Sequence, residues 1–246
     1  MYNFFVDHIV HYVKNPKEAK QFMEHQNFHV VEGGHHKQWG TYNTLCYFGL
    51  TYLEFIGVYD KEIAAQAANV PYSLIAHFAN NRYAEGHITM ALRTTQIDDV
   101  KTHLENNGFE TYGPNEYTRH RPDGSVLKWK LLYAGKPDDK VRFPFFIQWN
   151  EPDDVRLKTL KDTGGFSNDN GELTKVFYAV EHAYETAITW QQILGGTVRD
   201  TALHLNGVAI EFKEREECSP GPIGVEIESL QSPKQFTMNF GFYRTT

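Results

Sequence analysis

Asp7-His8-Ile9-Val10-His11-Tyr12-Val13 is repeated twice further along the chain. Gly86-His87-Ile88-Thr89-Met90-Ala91-Leu92 aligns with it without a gap, 87 − 8 = 79 residues later. Thr174-Lys175-Val176-Phe177-Tyr178-Ala179-Val180 aligns again, 175 − 8 = 167 residues after the first. A repeat at this scale dictates architecture before any single element does. Each copy alternates as a strand whose side chains point to opposite faces in turn. One face carries Ile9, His11 and Val13, then Ile88, Met90 and Leu92, then Val176, Tyr178 and Val180, bulky enough to be covered by a helix. The other opens on His8, His87 and Lys175. A face that opens on histidine at the same point in two copies points to a site.

Each strand runs into a helix and then further strands. After the first, Asn15-Pro16-Lys17-Glu18 reads as a helix start, with Asn as cap, Pro in the first turn and Glu three after the cap. Phe28 to Glu32 reads as a strand and Gly33-Gly34-His35-His36 as the turn after it. Trp39 to Phe48 and Tyr52 to Val58 complete a βαβββ unit. Lys61 to Glu85, broken at Pro71, reads as one or two connecting helices. In the second unit, Arg121-Pro122-Asp123-Gly124 reads as a turn and Phe143 to Trp149 as the last strand. The fold class is therefore α+β: repeated βαβββ modules, with a third at the C-terminus. Residues 1–150 are expected to hold the first two modules, 151–172 a polar linker, and 173–246 the third. Alignment puts Glu226 in the third unit opposite Glu54 in the first.

The 246 residues allow an ample core, and 41% hydrophobic with 22% charged residues is ordinary for a globular protein. A net charge of −7 argues against a nucleic-acid or membrane-surface partner. Cys46 and Cys218 form no CxxC pair, and no stretch reaches the roughly 20 apolar residues of a membrane span. A cytoplasmic location is the expectation. An odd number of modules leaves one without an internal partner, so a homodimer is expected too.

Repeated βαβββ units with an early histidine and a carboxylate in the fourth strand resemble the vicinal oxygen chelate superfamily, the glyoxalase-like proteins, and the resemblance implies that the first two modules are paired into a curled-sheet cup. Segments 7–10, 33–43, 52–54, 121–129 and 144–149 look like one glyoxalase-like subfamily, over about residues 4 to 150. By that resemblance, His8, Glu54, His87 and Gln148 are the metal ligands, holding Zn, Ni, Mn, Co or Fe. A metal there polarises two vicinal oxygens of a small-molecule substrate. His8 and Glu54 are then also the catalytic pair. Substrate contacts fall to His36, Trp39, Thr41 and Asn43, with Arg93 and Arg121 for an anionic group. The implied activity is a metal-dependent isomerase or lyase acting on a small oxygenated metabolite. The alternatives are a protein that sequesters an antibiotic-like molecule without turnover, and an extradiol-type Fe(II) dioxygenase.

Overall fold

The structure, a computed structural model, describes residues 2–120, 126–137, 141–215, 220–229 and 232–246. Eight strands build a first sheet: β1 (Phe5–Tyr12), β2 (Val31–His36), β3 (Thr41–Phe48), β4 (Thr51–Val58), β5 (Gly86–Arg93), β6 (Glu110–His120), β7 (Val126–Gly135) and β8 (Phe145–Trp149). Their spatial order is β2-β3-β4-β1-β5-β8-β7-β6, so the two modules join edge to edge through β1 and β5. Helices α1 (Pro16–His25) and α4 (Ile97–Asn106) are the crossovers, and α2 (Lys61–Ala67) and α3 (Leu74–Asn80) bridge the modules. The Asn15 cap holds, its side chain accepting from the Lys17 amide.

The polar segment after Trp149 is not bare linker. It carries α5 (Asp153–Asp162) and a 3-10 turn at Asn168–Asn170. Beyond it lies a second curled sheet: β9 (Glu172–Val180), α6 (Ala183–Leu194), β10 (Thr197–Arg199), β11 (Ala202–Leu205), β12 (Val208–Glu214), β13 (Gly221–Glu228), β14 (Lys234–Met238) and β15 (Gly241–Thr245). Its order is β10-β11-β12-β9-β13-β15-β14. The third module is there, from β9 to β12, and it is not alone. β13 lies antiparallel beside β9 as β5 lies beside β1, and β15 and β14 extend the sheet. The premise for the homodimer, a module lacking a partner inside the chain, therefore does not hold. The pairing also moves an expected equivalence. Val10 of β1 stands opposite Glu54, and its counterpart Phe177 stands opposite Glu211, so Glu211 and not Glu226 matches Glu54.

Two apolar clusters lie on opposite faces of the first sheet. One joins Ile9, Val13, Met90 and Leu92 to α1, α4, α6 and the inner face of the second sheet. The other joins Val10, Tyr12, Ile88 and Ala91 to Ala64, Leu74, Ile75 and Phe78 of α2 and α3, which close the cup. The alternation read from the repeat is correct for β1 and β9 and fails at Ile88. β5 carries an unpaired residue there: Val10 faces Thr89, and the next β1 residue, His11, faces His87. One extra residue in a ladder sends every later side chain to the other face. A second such irregularity in β1 leaves Asp7 unpaired between Val6 and His8. Gly33-Gly34-His35-His36 is not a turn either. It lies in β2, with a bulge between Glu32 and His35. A side chain at Gly33 would collide with the Asn43 carboxamide, so glycine there records a close approach.

Candidate functional site

His8 sits mid-cup on β1. Its ring stacks on Tyr52 of β4 at 4.7 Å and meets Phe145 of β8 edge-on. Its Nδ1 lies 2.8 Å from Oδ1 of Asp7. Neighbours in a regular strand point to opposite faces and do not touch this way; the bulge at Asp7 brings the two side chains together. Asp7 is fully buried. Its carboxylate also accepts from Arg93 Nη1 (3.2 Å) and Trp149 Nε1 (3.0 Å), with Arg156 at 3.7 Å. Burial would raise the Asp7 carboxyl; the His8 hydrogen bond and the charges of Arg156 and Arg93 reverse this and hold it well below the usual carboxylate range. An ionised Asp7 keeps the His8 proton on Nδ1 and leaves the lone pair of Nε2 facing the cup.

Nε2 of His8 lies 3.7 Å from Oε2 of Glu54. The other Glu54 oxygen accepts from Asn43 Nδ2 at 2.5 Å, and Asn43 Oδ1 accepts from the Gly34 amide at 2.8 Å. The bulged glycines of β2 thus fix Asn43, and Asn43 fixes Glu54. His36 lines the same pocket, with Nδ1 3.0 Å from the Thr41 hydroxyl. Burial lowers the His36 pKa to about 4, with the Arg119 charge acting in the same sense, so its ring is neutral at pH 7. The pocket around these groups has a volume of about 90 Å³. Aromatic side chains including Trp39, Tyr52, Trp129 and Tyr133 form its walls, and Leu74 and Ile75 of α3 help enclose it. Burial pushes the Tyr47 hydroxyl beside it up to about 12.

Residues 6–194 match the family model described as glyoxalase-like domain. The chain belongs to the glyoxalase-like domain family. It therefore sits in the vicinal oxygen chelate superfamily, as the repeat and motifs implied. This glyoxalase-like domain protein is similar in structure to a hypothetical protein from Staphylococcus aureus, with 24% identity, TM-score 0.89 and 99% of each chain covered. That likeness shows the fold. More distant are methylmalonyl-CoA epimerase from Mycobacterium tuberculosis (17% identity, 61% of this chain and 91% of that chain, TM-score 0.39) and a variant of Streptomyces coelicolor methylmalonyl-CoA epimerase in complex with 2-nitronate-propionyl-CoA (15%, 61% and 94%, TM-score 0.42). No curated protein matches the chain.

Divalent metals are common in this superfamily, and the ligand set expected here does not converge. His8 and Glu54 face each other. His87 does not join them: the bulge at Ile88 turns it to the opposite face, where its ring packs 4.6 Å from His11 and 5.3 Å from Tyr243. The antiparallel pairing adds distance, because His8 stands opposite Ala91, four residues beyond His87. Gln148 also points away, its Oε1 accepting from the Ile97 amide at the start of α4. The positions beside His8 on β5 and β8 are Ala91 and Phe145, which offer no donor. Two protein donors fall short of the three that an open catalytic metal site normally has. Among the described residues no group of three or more His, Cys, Asp or Glu is placed to hold an ion.

Of the expected substrate contacts, His36, Trp39 and Asn43 line the pocket. Thr41 stands one step back, on His36. Arg93 is buried against Asp7 and Asp153 and reaches the pocket only through Asp7. Arg121 lies outside the described residues. Sequence reasoning missed Asp7 as a partner of His8, because adjacency in a strand argues against contact. It also missed Arg156 of α5, whose guanidinium covers Trp149 at 4.2 Å. Among the described residues no helix is long and apolar enough to cross a membrane.

Proposed function

We propose that this glyoxalase-like domain protein is an isomerase or lyase that moves a proton on a small oxygenated metabolite, with His8 as its base. The carrying observation is the Asp7–His8–Glu54 row in an enclosed pocket. A substrate carbon next to a carbonyl, placed at Nε2 of His8, gives up its proton there, and the electron pair moves onto the carbonyl oxygen. A neutral His36, accepting at Nδ1 from the Thr41 hydroxyl, donates its Nε2–H to that oxygen. In an isomerisation the proton returns to the neighbouring carbon. In an elimination the enolate electron pair expels a group from the β-carbon. Glu54, oriented by Asn43, exchanges the proton at oxygen. Asp7 touches no substrate and positions His8. Only His8 and Glu54 of the four expected ligands converge, and no step of this reading passes through a metal.

The test is solvent exchange. In deuterated buffer, a panel of small 2-oxo acids, 2-hydroxy acids and hydroxyketones is followed by NMR for deuterium entering next to the carbonyl. Exchange that depends on protein and falls about 10²–10⁴-fold in His8→Ala supports the reading. The aromatic walls favour a second reading, a cup that sequesters a small molecule without turnover. Tight binding of a panel member with no exchange or product would select it.

A further inference from the structure

The pocket at His8 is the inner of two chambers. A second cavity of about 580 Å³ adjoins it. Leu45, Tyr47, Arg119, Leu127 and Trp149 line both, so the two meet at a shared neck. The outer chamber is bounded by Val31, Glu32 and Gly33 of β2 and by Thr159, Leu160 and Thr163 on α5 and just after it. Its walls near the neck are mainly apolar. Arg119 is the cation at the neck that lines both chambers. Arg156, in the outer chamber, is occupied by Asp7 and Asp153, as Arg93 is. Among the described residues no carboxylate lies within ion-pair distance of Arg119. A half-buried guanidinium between apolar walls keeps its charge at a cost that an arriving anion removes. The molecule as a whole carries −7, so an anionic ligand needs such a local cation to enter.

From this geometry we infer that the substrate class is an amphipathic carboxylate: an acid whose carboxylate pairs with Arg119 at the neck, whose reacting carbon enters the inner chamber at His8, and whose apolar chain occupies the outer chamber against α5. The size ratio fits, 580 Å³ for the chain against 90 Å³ for the head. The Arg119 charge reaches the inner chamber, where it acts to lower the His36 and Tyr47 pKa values. The inference rests on the proposed proton transfer only for which end of the ligand reacts. Its binding test does not depend on turnover.

The probes are octanoate, octanol and acetate, titrated against the full chain by tryptophan fluorescence, since Trp129 lines the inner chamber and Trp149 both. Octanoate is expected to bind more tightly than either octanol or acetate. Arg119→Gln should weaken octanoate by about tenfold or more and leave octanol within about twofold, which also shows that the variant is folded. Leu160→Trp, which fills the outer chamber, should weaken octanoate and octanol together. Octanol binding as tightly as octanoate, octanoate affinity unchanged in Arg119→Gln, or octanoate not binding at all would each overturn the inference. No protein-dependent solvent exchange in the wild-type chain, with octanoate binding intact, would instead count against the proton-transfer reading and leave the ligand class standing.

Discussion

The two curled sheets carry the same module and fill the same row differently. In the first, His8 and Glu54 face each other at 3.7 Å beneath α3, with Asn43 holding one and Asp7 the other. In the second, the matching positions are Lys175 and Glu211, 2.8 Å apart. There Glu211 also pairs with Lys213, while Glu226 pairs with Arg244 and lies 3.7 Å from Lys175. These charges satisfy one another. The first row leaves an imidazole lone pair with no committed proton, and the second pairs the Lys175, Glu211, Lys213, Glu226 and Arg244 charges with one another. A site here is made by incomplete pairing inside an enclosure, and the repeat supplies the position without supplying that state.

Exchanging the key residue on each side tests this contrast most strongly. His8→Ala should lower solvent exchange or turnover about 10²–10⁴-fold, and Lys175→Ala should leave it unchanged. Equal losses would show that the second cup takes part.

Next in size is the buried anion. Asp7→Asn removes the carboxylate shared by Arg93 and Arg156, both buried, and should cost about 3–5 kcal/mol in urea unfolding. Glu211→Gln, in the more exposed network, should cost about 1 kcal/mol or less. A stable Asp7→Asn protein would mean that the arginines find another partner.

The third test is acid. Burial lowers His11 and His36 to about 4 and puts His87 well below the ordinary histidine value of 6.5. An unfolded chain takes up these protons near 6.5, while the folded chain refuses them until about 4 at His11 and His36 and well below 6.5 at His87. Their stabilising contribution is therefore whole above 6.5 and is lost as pH falls toward 4. Asp7, with its carboxyl lowered, loses its share only below that window. The urea midpoint should drop steadily between these pH values, and His87→Leu should flatten the slope.

The smallest expected effect is none. Dialysis against a strong chelator should change neither melting nor turnover, and untagged protein should hold well under one divalent ion per chain. A stoichiometric ion lost in His8→Ala and kept in Lys175→Ala would reverse the donor argument.

The alternation in Ile9, His11 and Val13 was legible because burial repeats with the strand period. So were the helix caps and the family likeness. Two single-residue irregularities were not. At Asp7 and Ile88 the pairing slips, and no composition or spacing marks the slip, since it is decided by how two strands 79 residues apart settle into register. One slip gives His8 its carboxylate and the other removes His87 from the cup. His36, Trp39, Asn43 and Glu54 were found through the family likeness, and of these Asn43 and Glu54 lie on β3 and β4, whose register is regular. The outer chamber was hidden for a different reason. Residues 151–172 look like polar linker, and α5 shows its value only through what Arg156 and Leu160 cover.

His11 has its own consequence for how the molecule is made. Its Nδ1 meets the Tyr243 hydroxyl, 232 residues away, and its Nε2 the Asn239 carbonyl. Gly241 lies so close to His11 and His87 that a side chain there would strike both. On a ribosome, His11 of β1 emerges 228 residues ahead of the Asn239 carbonyl that covers its rear face. Folding of successive units from the N-terminus as they appear therefore cannot finish the strand that carries His8. The cup is assembled early in synthesis, and its back wall is closed only once residues 239–243 have emerged.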